Sequence, residues 1–318
     1  MRKLKVIILM WTILLITPFV QAVEEAALED APASDVGWEA TFKSSNHAIA
    51  EWFDGVVEGV DLFLVGKRLT DRANNSSIRI ENSTYSSEGK PVDNVTSISI
   101  NPRFVNLEEY LHLKFTSYDE REQSRGIQNG YLRQTPREKN YGATIGLFRK
   151  LGNIRTAFQP RIELQDPLKV SHSLSFESIA ETKNFYRINP KLELYASPTK
   201  GVGTYQGINI NFDLTKSYAL TFINESDYQE KSHAFAVTNG VSLGEAVTDT
   251  SSFAYTVLFL SNNQPKYHLD GYTFSVAWSE SIYSGMIDYA IVPHLDFILA
   301  SRFKGSAGLA ITFNLNFL

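Results

Sequence analysis

Gly305–Leu318 reads GSAGLAITFNLNFL. Leu309, Ile311, Phe313, Leu315 and Phe317 fall on one face of an extended chain; Ala310, Thr312, Asn314 and Asn316 fall on the other. Strict period-two alternation of this kind marks a β-strand with one apolar and one polar side. An apolar face this long at a chain end is a liability in water, because termini fray and bare strand edges aggregate. In a transmembrane barrel it is stable, since lipid covers the outer face and the first strand covers the edge. The competing reading is the closing strand of a soluble β-sandwich.

The start of the chain points to export. Met1–Lys5 carries Arg2, Lys3 and Lys5, Val6–Val20 is almost wholly apolar, and Val20-Gln21-Ala22 ends on a small residue. That is the layout of a secretory signal peptide over residues 1–22, cleaved after about Ala22. No other stretch approaches the roughly 18 apolar residues that a spanning helix needs. The chain has no cysteine, which excludes an N-terminal lipid anchor, disulfides, thiol catalysis and thiolate metal sites. Removing the three basic residues of the signal takes the net charge from −5 to −8. Basic residues are dispersed along the chain, which argues against nucleic acid as a partner.

Residues 23–44 begin Ala-, Glu- and Asp-rich without apolar periodicity and read as a disordered acidic leader. Ser45–Leu64, within a segment 45–66, reads as a periplasmic amphipathic helix capped by Ser44 or Ser45, with Ala48, Trp52, Val56 and Val60 on one face, flanked by Phe53 and Val57. The expected place for it is the periplasmic mouth of the barrel, with a plug or partner-docking role as the sharper alternative. From residue 75 to 318, alternating runs of about ten residues are separated by turn chemistry, the length that a tilted strand needs to cross hydrocarbon. They number about fourteen, or twelve if the runs near Val95 or Asn184 are merged. An even number puts both termini in the periplasm. The one long connection, Asp119–Asn140, is then expected outside the cell. Pro160, Pro190 and Pro293 sit inside runs and predict bulges. The fold class is therefore all-β: a transmembrane antiparallel up-and-down β-barrel with a short N-terminal helix.

The chain end resembles the C-terminal signal by which bacterial outer-membrane proteins are recognised for insertion, with Phe313, Leu315 and Phe317 as its apolar face and Leu318 as one residue beyond the usual final aromatic. Taken with the helix carrying Trp52-Phe53-Asp54, the short-looped strands and the late run Ile291-Val292-Pro293-His294-Leu295, the chain resembles a poorly characterised family of proteobacterial outer-membrane β-barrel proteins. The resemblance covers residues 51–318. It implies a Gram-negative outer-membrane location, with outer-membrane lipids, the barrel-insertion machinery and a possible periplasmic protein as partners. It carries no catalytic residue across.

Chemistry is sparse. There is no phosphate loop, HExxH or EF-hand pattern, and no histidine pair at metal-ligand spacing, so neither a cofactor nor a metal is expected. His172 and Ser173 are adjacent, so alternation throws a would-be nucleophile and base onto opposite faces. His294 shares a face with Asp288 and Asp296, which reads as a lumenal charge ladder before it reads as a cation site. With the apolar face outward, Arg79, Glu81, His112, Lys114, Arg155, Arg161, Glu163, Glu177, Arg187, Lys191, Glu193, Asp213, Asp288 and Asp296 line the interior. The interleaving of both signs predicts a constricted lumen bridged by ion pairs. The leading expectation is a narrow passive channel for small solutes, with Trp52, Phe53, Asp54 and Val56 as a possible gate. A structural or assembly protein of the envelope is the second reading, docking partners through the helix and the Asp119–Asn140 loop. A lipid hydrolase is a distant third.

Overall fold

A computed structural model of the chain describes residues 37–65, 76–104, 111–130, 132–178, 180–181 and 185–317. The signal peptide, most of the acidic leader and Leu318 lie outside the described residues. Compactness divides the chain at Ser45/Asn46. The described residues of the first unit are the opening turns of helix α1 (Trp38–Val65), held by a Lys43–Glu39 pair at 2.8 Å. The second unit contains the remainder of α1 and the barrel.

Fourteen antiparallel strands close into the barrel. They are β1 (Ser77–Ser87), β2 (Asp93–Asn101), β3 (Leu111–Thr116), β4 (Gly142–Leu151), β5 (Ile154–Glu163), β6 (Lys169–Ser178) and β7 (Tyr186–Ser197). The second half runs β8 (Gly201–Asp213), β9 (Tyr218–Gln229), β10 (Ala234–Ala246), β11 (Ser251–Asn262), β12 (His268–Ile282), β13 (Ile287–Ile298) and β14 (Gly305–Phe317). Every strand pairs with its sequence neighbours, and β1 pairs with β14 from Ile78 opposite Phe317 to Ser87 opposite Gly308. The terminal stretch thus closes the ring and leaves no edge for aggregation.

At each of the three prolines the ladder loses rungs on one side without a change of register, so the expected bulges do not form; the register shift in the described ladders lies instead at Leu260/Ser261. The β4–β5 register skips the rungs at Pro160, and the β12–β13 register skips those at Pro293. Opposite Pro190, the β6–β7 pairing stops at Glu177/Lys191 and resumes through the two-residue strand Ala180–Glu181. A residue without an N–H cannot donate to a neighbouring strand, so rungs are lost there while the register is kept.

The outer face carries Ile98, Phe115, Leu147, Phe158, Ile208 and Phe313, all exposed, as hydrocarbon requires. Aromatic residues mark both rims. Tyr272 stacks on Phe297 at 4.7 Å and on Phe303 at the end opposite the termini. Phe253, Trp278 and Tyr289 associate at the end that carries the termini.

Three expectations for the N-terminal region need correction. The helix starts at Trp38, so the last part of the expected leader is helical, and Ser44 is no cap: its hydroxyl donates back to the Thr41 carbonyl at 2.9 Å. The packing face is also displaced from the expected one, onto the side of the flanking Val57. Asn46, Ala50, Val57 and Asp61 are buried, whereas Ala48, Trp52 and Val56 are exposed. The helix is fastened by polar contacts: the Asn46 amide donates to the Asn316 carbonyl of β14 at 2.8 Å, and Asp54 accepts the Ser76 N–H at 2.7 Å.

Candidate functional site

Inside the barrel, the alternation that sends apolar residues to lipid sends serine, threonine and charge inward. All fourteen candidate lumen residues fall on the inward rows by register. Arg161, Glu193, Glu163 and Glu81 are the most deeply buried of them, while Arg187 and Asp213 form a half-exposed pair at 2.8 Å.

The segment between β3 and β4 leaves the barrel at the expected end but does not stay outside. It folds back into the lumen, and this corrects the expectation of an external loop. Ser117 and Tyr118 begin the descent, and Asp119 caps a single helical turn, α2 (Glu120–Gln123), through the Arg121 N–H. Four arginines then reach the walls. Arg121 donates to Ser171 on β6 at 2.6 Å and to the Gln159 carbonyl on β5 at 3.0 Å. Arg125 pairs with Glu193 on β7 and covers the Tyr195 ring. Arg133 donates to Tyr85 and Glu81 on β1, each at 2.5 Å, and Arg137 reaches the same Glu81 at 2.8 Å.

Apolar packing supplements these ties. Leu132 is almost fully buried in one cluster with Ile223, Leu258, Val292, Ala277 and Ala310, with Ile127 packed against it. These wall residues face inward, against the polar-inside expectation. They form the seat on which the loop rests, and burying Leu132 there contributes about 1.5–3 kcal/mol to docking. Glu225 completes the hold by accepting the Ile127 N–H at 3.0 Å.

The predicted lumen charges therefore pair mainly with the loop and only partly with each other. Glu81, Glu193 and Arg161 each meet a loop residue, Arg161 reaching Glu120 at 3.2 Å and Thr116 at 2.8 Å. Wall-to-wall pairs among the described residues include Arg79–Asp288 at 3.0 Å, Lys191–Glu193 at 4.0 Å and Arg187–Asp213. Lys191 also donates to the Ser124 carbonyl of the loop. His112 packs against Phe148 at 4.8 Å instead of joining a charge ladder. Arg155, Lys114 and Glu177 stay on the inward rows nearer the terminal end.

Electrostatics follow from this crowding. Burial would push the Asp119 carboxyl up, but hydrogen bonds from Arg121 and the charges of Arg121, Arg161 and Arg125 outweigh it and hold the carboxyl below its ordinary range. Burial pulls the Arg137 guanidinium below its ordinary value, and Arg133 adds to the effect against Tyr118 and Glu81.

His294 and Asp288 do not meet. His294 lies 3.4 Å from Asp296, whereas Asp288 is taken by Arg79, Asn314 and Asn316. Among the described residues no group of three or more metal-ligating side chains converges. His172 is exposed and Ser173 fully buried, on opposite faces of β6, so no nucleophile–base pair forms there.

Space remains on both sides of the loop. A cavity of about 430 Å³ lies toward the terminal end, between Arg133, Arg137, Gly130 and the walls of β1, β12, β13 and β14. A cavity of about 120 Å³ lies toward the other end, lined by Asp119, Arg121, Arg125, Glu163 and Tyr195.

The loop arginines were not singled out from sequence. Their signal was available: Arg121, Arg125, Arg133 and Arg137 recur at multiples of four in the longest connection, together with the isolated apolar residues Ile127 and Leu132.

No family model matches the chain, and no curated protein matches it. Similar solved structures include a bacterial polysaccharide outer membrane secretin, at 9% identity and a TM-score of 0.47 over 77% of this chain and 99% of that one. The outer membrane channel DcaP of Acinetobacter baumannii is similar at 6% identity and 0.45, over 76% and 95%. The KdgM porin is similar at 6% identity and 0.38, over 74% and 98%.

Proposed function

We propose that the protein is a narrow passive channel for small solutes across the Gram-negative outer membrane, with the segment between β3 and β4 as its constriction. The observation that carries this reading is the loop clamped across the lumen by Arg125 on one wall and by Arg133 and Arg137 on another. A barrel whose only role was to anchor other elements needs no charged element held across its bore with space on either side. The intermixed charges of the loop and wall would screen solutes by charge at close quarters.

Conductance of the purified mature protein in a planar lipid bilayer tests the reading. Discrete steps that scale with salt are expected, and Lys191→Glu should shift selectivity toward cations. Silence from protein shown to be folded by heat-modifiable gel migration would overturn it.

One observation favours a second reading, partner docking in the envelope. Ile49, Trp52 and Val56 form an exposed apolar row on α1. If that row docks a periplasmic protein, Trp52→Ala abolishes capture of the partner and leaves conductance unchanged; a gate would instead change the leak.

A further inference from the structure

The larger cavity has an unbalanced lining. Three guanidiniums border it: Arg79 on β1, and Arg133 and Arg137 on the loop. Two carboxylates on the inward rows answer them. Asp288 takes Arg79, and Glu81 takes both Arg133 and Arg137, one oxygen each. The third carboxylate at the rim, Glu280, belongs to the outward row and accepts from the Tyr289 hydroxyl. One positive charge is therefore left over beside the cavity.

That charge cannot be shed by deprotonation, because a guanidinium keeps its proton in proteins. Nor is its hydrogen bonding complete. Nη1 of Arg133 is buried without a hydrogen-bond partner among the described residues, while Arg137 has the Tyr118 side chain as well as Glu81 beside it. The Tyr118 ring covers Arg137 at 3.8 Å, and burial lowers the dielectric around the pair. The remaining wall carries the hydroxyls of Ser252, Ser281 and Thr312, while the Asn314 amide is already engaged by Arg79 and Asp288.

We propose that this cavity is a binding subsite for a small hydroxylated carboxylate. The carboxylate compensates the charge left over by Arg133 and Arg137, and the ligand's hydroxyls meet the serine and threonine wall. A volume of about 430 Å³ suits a single small molecule. The inference rests on the channel reading for access, since the ligand would enter through the lumen.

Isothermal titration of the folded full chain in detergent, with gluconate and with its uncharged counterpart glucitol, tests the subsite. Saturable gluconate binding is expected, with glucitol at least about tenfold weaker, because charge-assisted bonds to guanidinium are about twice as strong as neutral ones. Arg133→Gln should weaken gluconate by about tenfold. Arg79→Gln, on a strand and outside the loop, should weaken it too with the loop still docked. Heat-modifiable migration confirms that each variant is folded. Equal binding of the two ligands, no binding by folded protein, or undiminished binding in both variants would overturn the proposal. Gluconate binding without conductance would keep the subsite and sink the channel; conductance without gluconate binding would do the reverse.

Discussion

Arg125 donates from both Nε and Nη2 to the same Oε1 of Glu193, at 2.9 and 2.7 Å, and neither side chain is more than slightly exposed. The bond joins the lumenal loop to β7, while Arg133 and Arg137 join it to β1, six strands away in a ring of fourteen. The loop is thus tied to nearly opposite walls, which distinguishes a constriction from a flap hinged on one side.

Breaking that bond should free one end of the loop. Glu193→Gln leaves a buried arginine without its counter-charge, a change that costs about 3–5 kcal/mol at buried pairs. The expected outcome is trypsin cleavage after Arg125 or Arg133 in intact barrels, together with a larger conductance step. A loop that stays protease-resistant, with an unchanged step, would show that the Arg125 tie is dispensable.

Packing can be tested apart from charge. Leu132→Ala removes the apolar side chain seated on Ile223, Leu258 and Val292 and should weaken loop docking by about 2–5 kcal/mol. The barrel itself keeps its ladder, so heat-modifiable migration should be unchanged while proteolysis of the loop accelerates. Loss of the barrel along with the loop would mean that the loop supports the wall, contrary to this division.

The strands were legible because lipid outside and polar groups inside write period two directly into the sequence, as in Leu309 to Phe317. The prolines were legible only in part: Pro160, Pro190 and Pro293 lack the N–H that a ladder needs and cost it rungs, but the register runs through without a bulge. The inward fold of the loop was not legible, since no periodicity encodes which way a connection turns at the rim. Its seat was hidden as well, because Ile223, Leu258 and Val292 break the polar-inside rule only where the loop covers them. The helix face was misread because Trp52 and Val56 sit at helical spacing, yet Asn46 and Asp54 supply polar contacts to the barrel on the other side.

Acid should release the loop only at low pH. Asp119 has its folded-state pKa depressed by Arg121, Arg161 and Arg125, so its contribution is fully present above the unfolded value of about 3.9 and is lost as pH falls through the lower folded value. A single cysteine at Ser124 reports this cleanly, because the chain has no other. Labelling should stay slow at pH 5, and reversible release should begin only below about pH 4. Release already between pH 5 and 6 would show that another group controls docking.

A polar patch on the outer face separates pairing from burial. Asn82 and Asn94, on outward rows of β1 and β2, exchange amide hydrogen bonds at 3.1 and 3.0 Å and add bonds to Thr96 and Thr84. Their neighbours Ile80, Ile98 and Phe313 face lipid. Amides are tolerable there because each satisfies the other. Asn82→Leu alone should destabilise the barrel by about 1–3 kcal/mol by leaving the Asn94 side-chain carbonyl without its donor, whereas Asn82→Leu with Asn94→Leu should be close to neutral. Guanidinium unfolding in lipid vesicles reads the cycle. A double variant as costly as the two single changes summed would mean that the amides contact something other than each other and lipid.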